Sequence, residues 1–166
     1  MKFLNILLPL TALTSLVASQ ATIIRGVLTS IQAEAAELRT AFDTEDPVLI
    51  QAAGEDLLVA IDQGIIAVEA SRPLSLLESL GFAGQIVTLQ TEVEATADAA
   101  IAKKSVAETY GLVDEVREAF TEGRASVTVL GQVLLTKVPA TLHPLATDLL
   151  NAVDAAFAEV IEAYSA

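Results

Sequence analysis

Along five stretches of this chain, apolar residues recur at alternating steps of three and four, and short breaks marked by proline, glycine or acidic residues divide the stretches. The first runs Ile24, Leu28, Ile31, Ala35, Leu38 and Phe42, with Arg25, Gln32 and Arg39 off the line. This spacing makes one stripe of an α-helix apolar and obliges that stripe to find a partner. No strand-like alternation or hairpin signal competes with it. Five such helices joined by short connections predict an all-α fold, an antiparallel up-and-down bundle of about five amphipathic helices in which sequential helices are neighbours.

The breaks have recognisable chemistry. Asp46 is a good N-cap and Pro47 is preset for a first helical position, which starts a second helix running to about Ser71. Its stripe is Ile50, Ala53, Leu57, Ile61, Ile65 and Val68, widened by Leu49, Leu58 and Ile66. Ser75 and Glu78 have capping-box spacing for a short helical piece to Leu80, followed by a kink at Gly81 to Gly84. A third long helix, Gln85 to Lys104, carries Ile86, Leu89, Val93, Ala97, Ala100 and Ile101, with Lys103 and Lys104 in its last turn complementing the helix dipole. Ser105 and Glu108 repeat the capping-box spacing, predicting a fourth helix with the seam Val113, Val116, Phe120, Gly123, Val127, Leu130 and Leu134. Pro139 stops it, Thr141 is placed to cap the fifth, and Leu142, Leu145, Leu149, Val153, Ala156, Val160 and Tyr164 form the last seam.

Residues 1–19 read as a secretory signal peptide, with Lys2 before an uncharged apolar run and small residues at its exit. Residues 20–166 then form one helical-bundle domain. Loss of Lys2 takes the formal net charge from −13 to −14. That surface repels nucleic acid and anionic membranes. No further apolar run has spanning length without charges, so no transmembrane segment is expected. With no cysteine, packing alone must hold a secreted chain together. Hydrophobic residues make up 53% and aromatics only 4%, so the core must be aliphatic and alanine-rich. The mean hydropathy of +0.57 requires either a fully apolar interior under a thin polar skin or apolar surface that receives something other than protein.

Enzymatic chemistry finds little material. The absence of cysteine excludes a Cys-His pair, and His143, the single histidine, leaves one end-of-helix imidazole for any Ser-His-Asp set. A di-iron bundle site needs two Glu-x-x-His motifs, which are absent. No glycine-rich phosphate loop is present. The reading is that the chain is not an enzyme and takes no cofactor and no metal.

Four further segments, in this order and spacing, carry a resemblance: Ala70-Ser-Arg-Pro-Leu-Ser75, Ala100-Ile-Ala-Lys-Lys104, Lys137-Val-Pro-Ala140 and the closing Leu149-Leu-Asn-Ala-Val-Asp-Ala-Ala-Phe157. Together with the leader they resemble the fungal hydrophobic surface-binding protein A family, which includes cell-wall galactomannoproteins. The resemblance implies a secreted, extracellular or cell-wall-associated bundle that adsorbs to hydrophobic surfaces or holds a lipid such as a fatty acid between its helices. Cell-wall polysaccharide is a further partner of that setting. Two departures accompany it. Ser105-Val-Ala-Glu stands where many relatives have a proline soon after the lysine pair, and the Ser/Thr-rich tail of wall-anchored members is missing, which favours a freely secreted form.

An acyl chain gains about 0.8 kcal/mol for each buried CH2, so a slot for ten or more methylenes reaches roughly micromolar affinity after ordering costs. The candidate lining is Phe42, Leu57, Ile61, Leu89, Val93, Val116, Phe120, Leu130, Val153 and Phe157. Gly54, Gly64, Gly123 and Gly131 fit either a slot or close helix packing. Arg72, Lys103, Lys104 and Tyr110, near helix ends, are candidates for the head group; dipole capping in solvent also accounts for the lysines. Two alternatives to a fatty-acid or amphiphile carrier stay open: adsorption to hydrophobic surfaces by bundle opening, with a hinge at Gly81 to Gly84, and a structural wall protein or antigen with a dry, filled core.

Overall fold

The structure is a computed structural model that describes residues 20–81 and 83–166. The expected signal peptide, residues 1–19, lies outside the described residues. The described residues form five long helices, α1 (Gln20–Thr44), α2 (Pro47–Glu69), α4 (Ala83–Ala102), α6 (Val113–Lys137) and α7 (His143–Ala163), with two short ones, α3 (Leu76–Leu80) and α5 (Lys104–Tyr110), in the connections. No strand occurs among the described residues.

Local chemistry explains most boundaries. The Asp46 carboxylate accepts from the backbone N–H groups of Val48 and Leu49, satisfying donors that the start of α2 leaves open. Glu45, with φ 58°, and Gly111, with φ 71°, occupy the left-handed region and end α1 and α5. The Ser75–Glu78 capping box is fully formed. Its counterpart at Ser105 and Glu108 is not: α5 begins at Lys104, its N-cap Lys103 makes no side-chain cap bond, and Ser105 lies inside the helix. The single fourth helix expected from there is divided at Gly111, whose backbone geometry suits glycine and halts a helix. Lys103 and Lys104 therefore start α5 and do not complete the last turn of α4. Thr141 does not cap α7; it lies in a 3-10 turn (Ala140–Leu142), and Leu142 occupies the cap position.

The long helices form a closed ring in the order α1, α2, α6, α7, α4 and back to α1. Consecutive long helices alternate in direction, giving the antiparallel up-and-down bundle, yet chain order and ring order differ. The Arg39–Glu92 pair at 2.7 Å and the Lys103–Glu45 pair at 2.6 Å tie α4 alongside α1, parallel to it. Ser126 donates to Asp62 at 3.2 Å across the parallel pair α2 and α6. The expectation that every short connection joins neighbours holds for α1–α2 and α6–α7 only. Residues 70–82, which include α3, and residues 103–112, which include α5, are long enough to cross the bundle ends. At one end the Leu74 amide donates to the Lys137 carbonyl and the Lys137 ammonium to the Glu69 and Ser71 carbonyls.

The α1 seam is buried throughout, with Ile24 wholly inaccessible and Leu28, Ile31, Ala35, Leu38 and Phe42 nearly so. On α2 the widened stripe splits: Leu58 turns toward the interior, while Leu49 and Ile66 face outward. Tyr164 closes the far end, its phenol donating to the Ala100 carbonyl at 2.8 Å. Burial, and secondarily the Glu108 charge, pushes that phenol up to about 12.

The Ser75 backbone N–H, then its hydroxyl and the Arg72 guanidinium, hold the Glu78 carboxyl down at about 2 against an ordinary 4.5. A depressed carboxylate contributes stability that is present above its unfolded value and lost as pH falls through its folded value. Wild type should therefore unfold at a higher temperature than Glu78→Gln at neutral pH, and the gap should close between 4.5 and about 2. Thermal melts across that range check it.

Candidate functional site

Inside the ring the aliphatic side chains do not meet everywhere, and adjoining spaces are left between them, three of which share wall residues. The central one, ≈ 50 Å³, is walled by all five long helices and bounded by Ile31, Leu38, Leu57, Ile61, Phe120 and Phe157 among others. A second, ≈ 100 Å³, lies beside it between α1, α4, α6 and α7, sharing Ile31, Val93 and Val127 with it. A third, ≈ 190 Å³, opens between α1, α2 and α6 and shares Leu38, Gly54, Leu58, Ala119 and Phe120 with the centre. One water needs about 10–15 Å³ by this kind of measure, so each chamber exceeds a packing defect.

The walls of the central and α4–α7 chambers are almost wholly apolar, while Gln51, Glu55 and Glu115 border the third. In the central chamber Thr96 is the polar residue, and its hydroxyl is directed at the Ala35 and Glu92 carbonyls at 2.9 and 2.8 Å. In the α4–α7 chamber it is Gln90, which donates to Glu94. Apolar walls of this kind hold water poorly and accept hydrocarbon.

All ten candidate lining residues stand on these walls. Leu57, Ile61, Phe120 and Phe157 face the centre; Val93 borders the centre and the α4–α7 chamber; Leu89, Leu130 and Val153 line the latter; Phe42 and Val116 line the α1–α2–α6 chamber, where Phe120 appears again. The Phe120 and Phe157 rings meet at 5.5 Å between centroids, tilted by 56°, and form the bulkiest part of the wall. Sequence reasoning missed Leu58, Val127 and Leu150. Leu58 lies one step from the chosen Leu57 and Leu150 one step from the seam residue Leu149, each on the flank of a stripe wider than an a/d seam. Val127 was on the predicted α6 seam without being singled out.

The four head-group candidates are elsewhere. Arg72 pairs with Glu78 at 2.9 Å, Lys103 with Glu45 at 2.6 Å, and Lys104 with Glu108 at 3.7 Å. Tyr110 is exposed on α5. None of the four borders the three chambers.

The glycines divide by role. A Cβ on Gly123 would lie 2.9 Å from the Phe157 ring, one on Gly131 2.5 Å from Leu150, and one on Gly64 2.7 Å from Val27, so these three permit close helix approach. A Cβ on Gly54 would meet nothing within 4 Å, because Gly54 faces the cavity. Gly54→Ala should stabilise the fold by about 0.5–1 kcal/mol through helix propensity. Gly123→Ala should destabilise it by about 1–3 kcal/mol through overpacking against Phe157. Paired urea titrations separate the two signs.

A ring of five long helices closed around an apolar interior defines an all-α bundle with space along its axis. The chain belongs to the family described as Hydrophobic surface binding protein A, whose sequence profile its residues 21–136 match. Curated relatives include Cell wall mannoprotein 1 of Aspergillus fumigatus, 27% identical over 142 residues, which cover 84% of this chain and 50% of that protein. The Aspergillus flavus protein of the same name is 25% identical over 124 residues, covering 75% of this chain and 45% of that one. The chain thus spans about half the length of these relatives. In fold it is similar to ligand binding domain 1 of the Penicillium marneffei MP1 protein, solved complexed with arachidonic acids (TM-score 0.86, 23% identity, 89% of this chain and 99% of that one). It is likewise similar to AFMP4P, solved in complex with palmitic acid (TM-score 0.82, 23% identity, 87% and 99%).

Proposed function

We propose that this protein is a secreted, extracellular or cell-wall-associated binder that takes a fatty acid or similar single-chain amphiphile into the slot between its helices. The observation that carries the reading is the placement of the three chambers side by side along the bundle, with Ile31, Val93 and Val127 common to two of them and Gly54, Leu58 and Phe120 common to another two. That axis gives an acyl chain a dry path, and each methylene placed in it contributes about 0.8 kcal/mol. The MP1 domain with arachidonic acids and AFMP4P with palmitic acid support it by likeness of fold. Phe42, Leu57, Ile61, Leu89, Val93, Val116, Phe120, Leu130, Val153 and Phe157 are the proposed chain-contacting residues.

The role is binding, not catalysis. His143, the sole histidine, rests its Nε2 against the Val138 carbonyl at 3.1 Å and borders none of the three chambers. Adsorption to hydrophobic surfaces is the second reading. Family membership favours it, as does the exposure of Leu76, Leu77 and Leu80 on α3 beside the Gly81 turn.

Gly54→Phe tests the carrier reading, because the new ring enters the slot without meeting a neighbour at its Cβ. Palmitate affinity should fall about tenfold or more, equivalent to about 1.4 kcal/mol, in calorimetric titration. The same variant should adsorb to an oil–water interface as wild type does. Unchanged palmitate affinity with a natively folded variant counts against an interior slot.

A further inference from the structure

Polar groups at the openings of the slot carry information about the ligand's head. At the α1–α2–α6 opening the polar residues are Gln51, Glu55 and Glu115. A second opening, a groove of ≈ 330 Å³ between α6 and α7, is separated from the chambers only by Val127, Leu150 and Phe157, which it shares with them. Its rim includes Arg124, Asp154, Gln132 and Asn151. A cation would favour an ionised carboxylate at either rim, because drawing that charge partly out of water without one is costly.

No described cation is free to serve. Arg39, Arg72, Lys103, Lys104, Arg117 and Arg124 are each in an ion pair with a carboxylate. Arg25 donates to the Gly81 carbonyl, and Lys137 to those of Glu69 and Ser71. Arg124 alone borders an opening, and its fork is already closed on Asp154 by bonds of 2.6 and 2.7 Å. That pair holds Asp154 below and Arg124 above its ordinary range. The net charge of −13 adds a diffuse field of the same sign as a carboxylate. By contrast, the side-chain amides of Gln51, Gln132 and Asn151 have no protein partner among the described residues, and each offers both donors and an acceptor. The Glu55 and Glu115 carboxylates are acceptors that a ligand hydroxyl can donate to.

Resting on the acyl-slot reading, we infer that the slot selects single-chain amphiphiles with an uncharged, hydroxylated head, such as a monoacylglycerol or long-chain alcohol, over the ionised fatty acid of the same chain. The hydrocarbon supplies affinity and the rims supply the choice. Glu55 and Glu115 act against the anion. Both are exposed, so Glu→Gln replacement there keeps shape and fold while removing charge.

The test compares monolauroylglycerol, dodecanol and laurate on the delipidated protein at about pH 7.5, where a carboxylic acid is ionised. The two neutral ligands should bind about tenfold more tightly than laurate at about 0.15 M salt. Glu55→Gln with Glu115→Gln should strengthen laurate severalfold and so narrow its gap to dodecanol, whose hydroxyl the amide oxygens of the variant can still accept. Laurate binding as tightly as dodecanol in wild type overturns the inference while leaving the slot intact. Failure of all three ligands to bind removes the slot itself, and the inference with it.

Discussion

Five helices packed in a ring leave more room on their axis than a four-helix bundle does, and something must occupy that room or it stays open. Large aromatic side chains are the usual filling. Here they make up 4% of residues, and Phe120 with Phe157 is the one aromatic pair that meets among the described residues. Aliphatic and alanine seams reach each other around the ring but not across it. The chambers, their apolar walls and the isolation of Gly54 from any neighbour all follow from that shortage of bulk.

The ring can still close because α6 and α7 approach tightly at Gly123 and Gly131, and α2 approaches α1 at Gly64. Close contact at the perimeter and open space at the centre are therefore two uses of the same small residue. Ion pairs such as Arg39–Glu92 and Arg124–Asp154 fix register at the surface. Exposed pairs contribute little energy each. Their larger consequence is that they occupy the cations, which leaves the polar rims of the slot with amides and carboxylates.

The helices and most wall residues were legible in sequence because a three-and-four seam names the inward face of a helix whatever its neighbours are. Ile24 through Phe42, and the ten proposed chain contacts, needed only that. Ring order was not legible, since the connection through α3 carries the chain past α1's far side and no local residue pattern records which helix it reaches. The break at Gly111 was missed because Ser105 and Glu108 imitate a helix start within an α-helix, while a single glycine in a seam does not announce a positive φ. The separate roles of Gly54 and Gly123 also needed the structure: both thin a helix, and only the neighbour's position tells packing from vacancy. The ion pairs of Lys103 with Glu45 and of Arg124 with Asp154 join residues distant in sequence, so the absence of a free cation at the openings had no sequence signal.

The central claim is that an acyl chain lies on the bundle axis, and the most direct measurement is an isotope-edited NMR experiment with a carbon-13-labelled fatty acyl ligand. The account predicts nuclear Overhauser contacts from mid-chain methylenes to the methyl groups of Ile31, Val93 and Val127, which border both the central and the α4–α7 chambers. Contacts confined to outward-facing methyls such as Leu77, Val87 and Ile66 would contradict it, placing the hydrocarbon on the surface of a bundle whose interior stays empty.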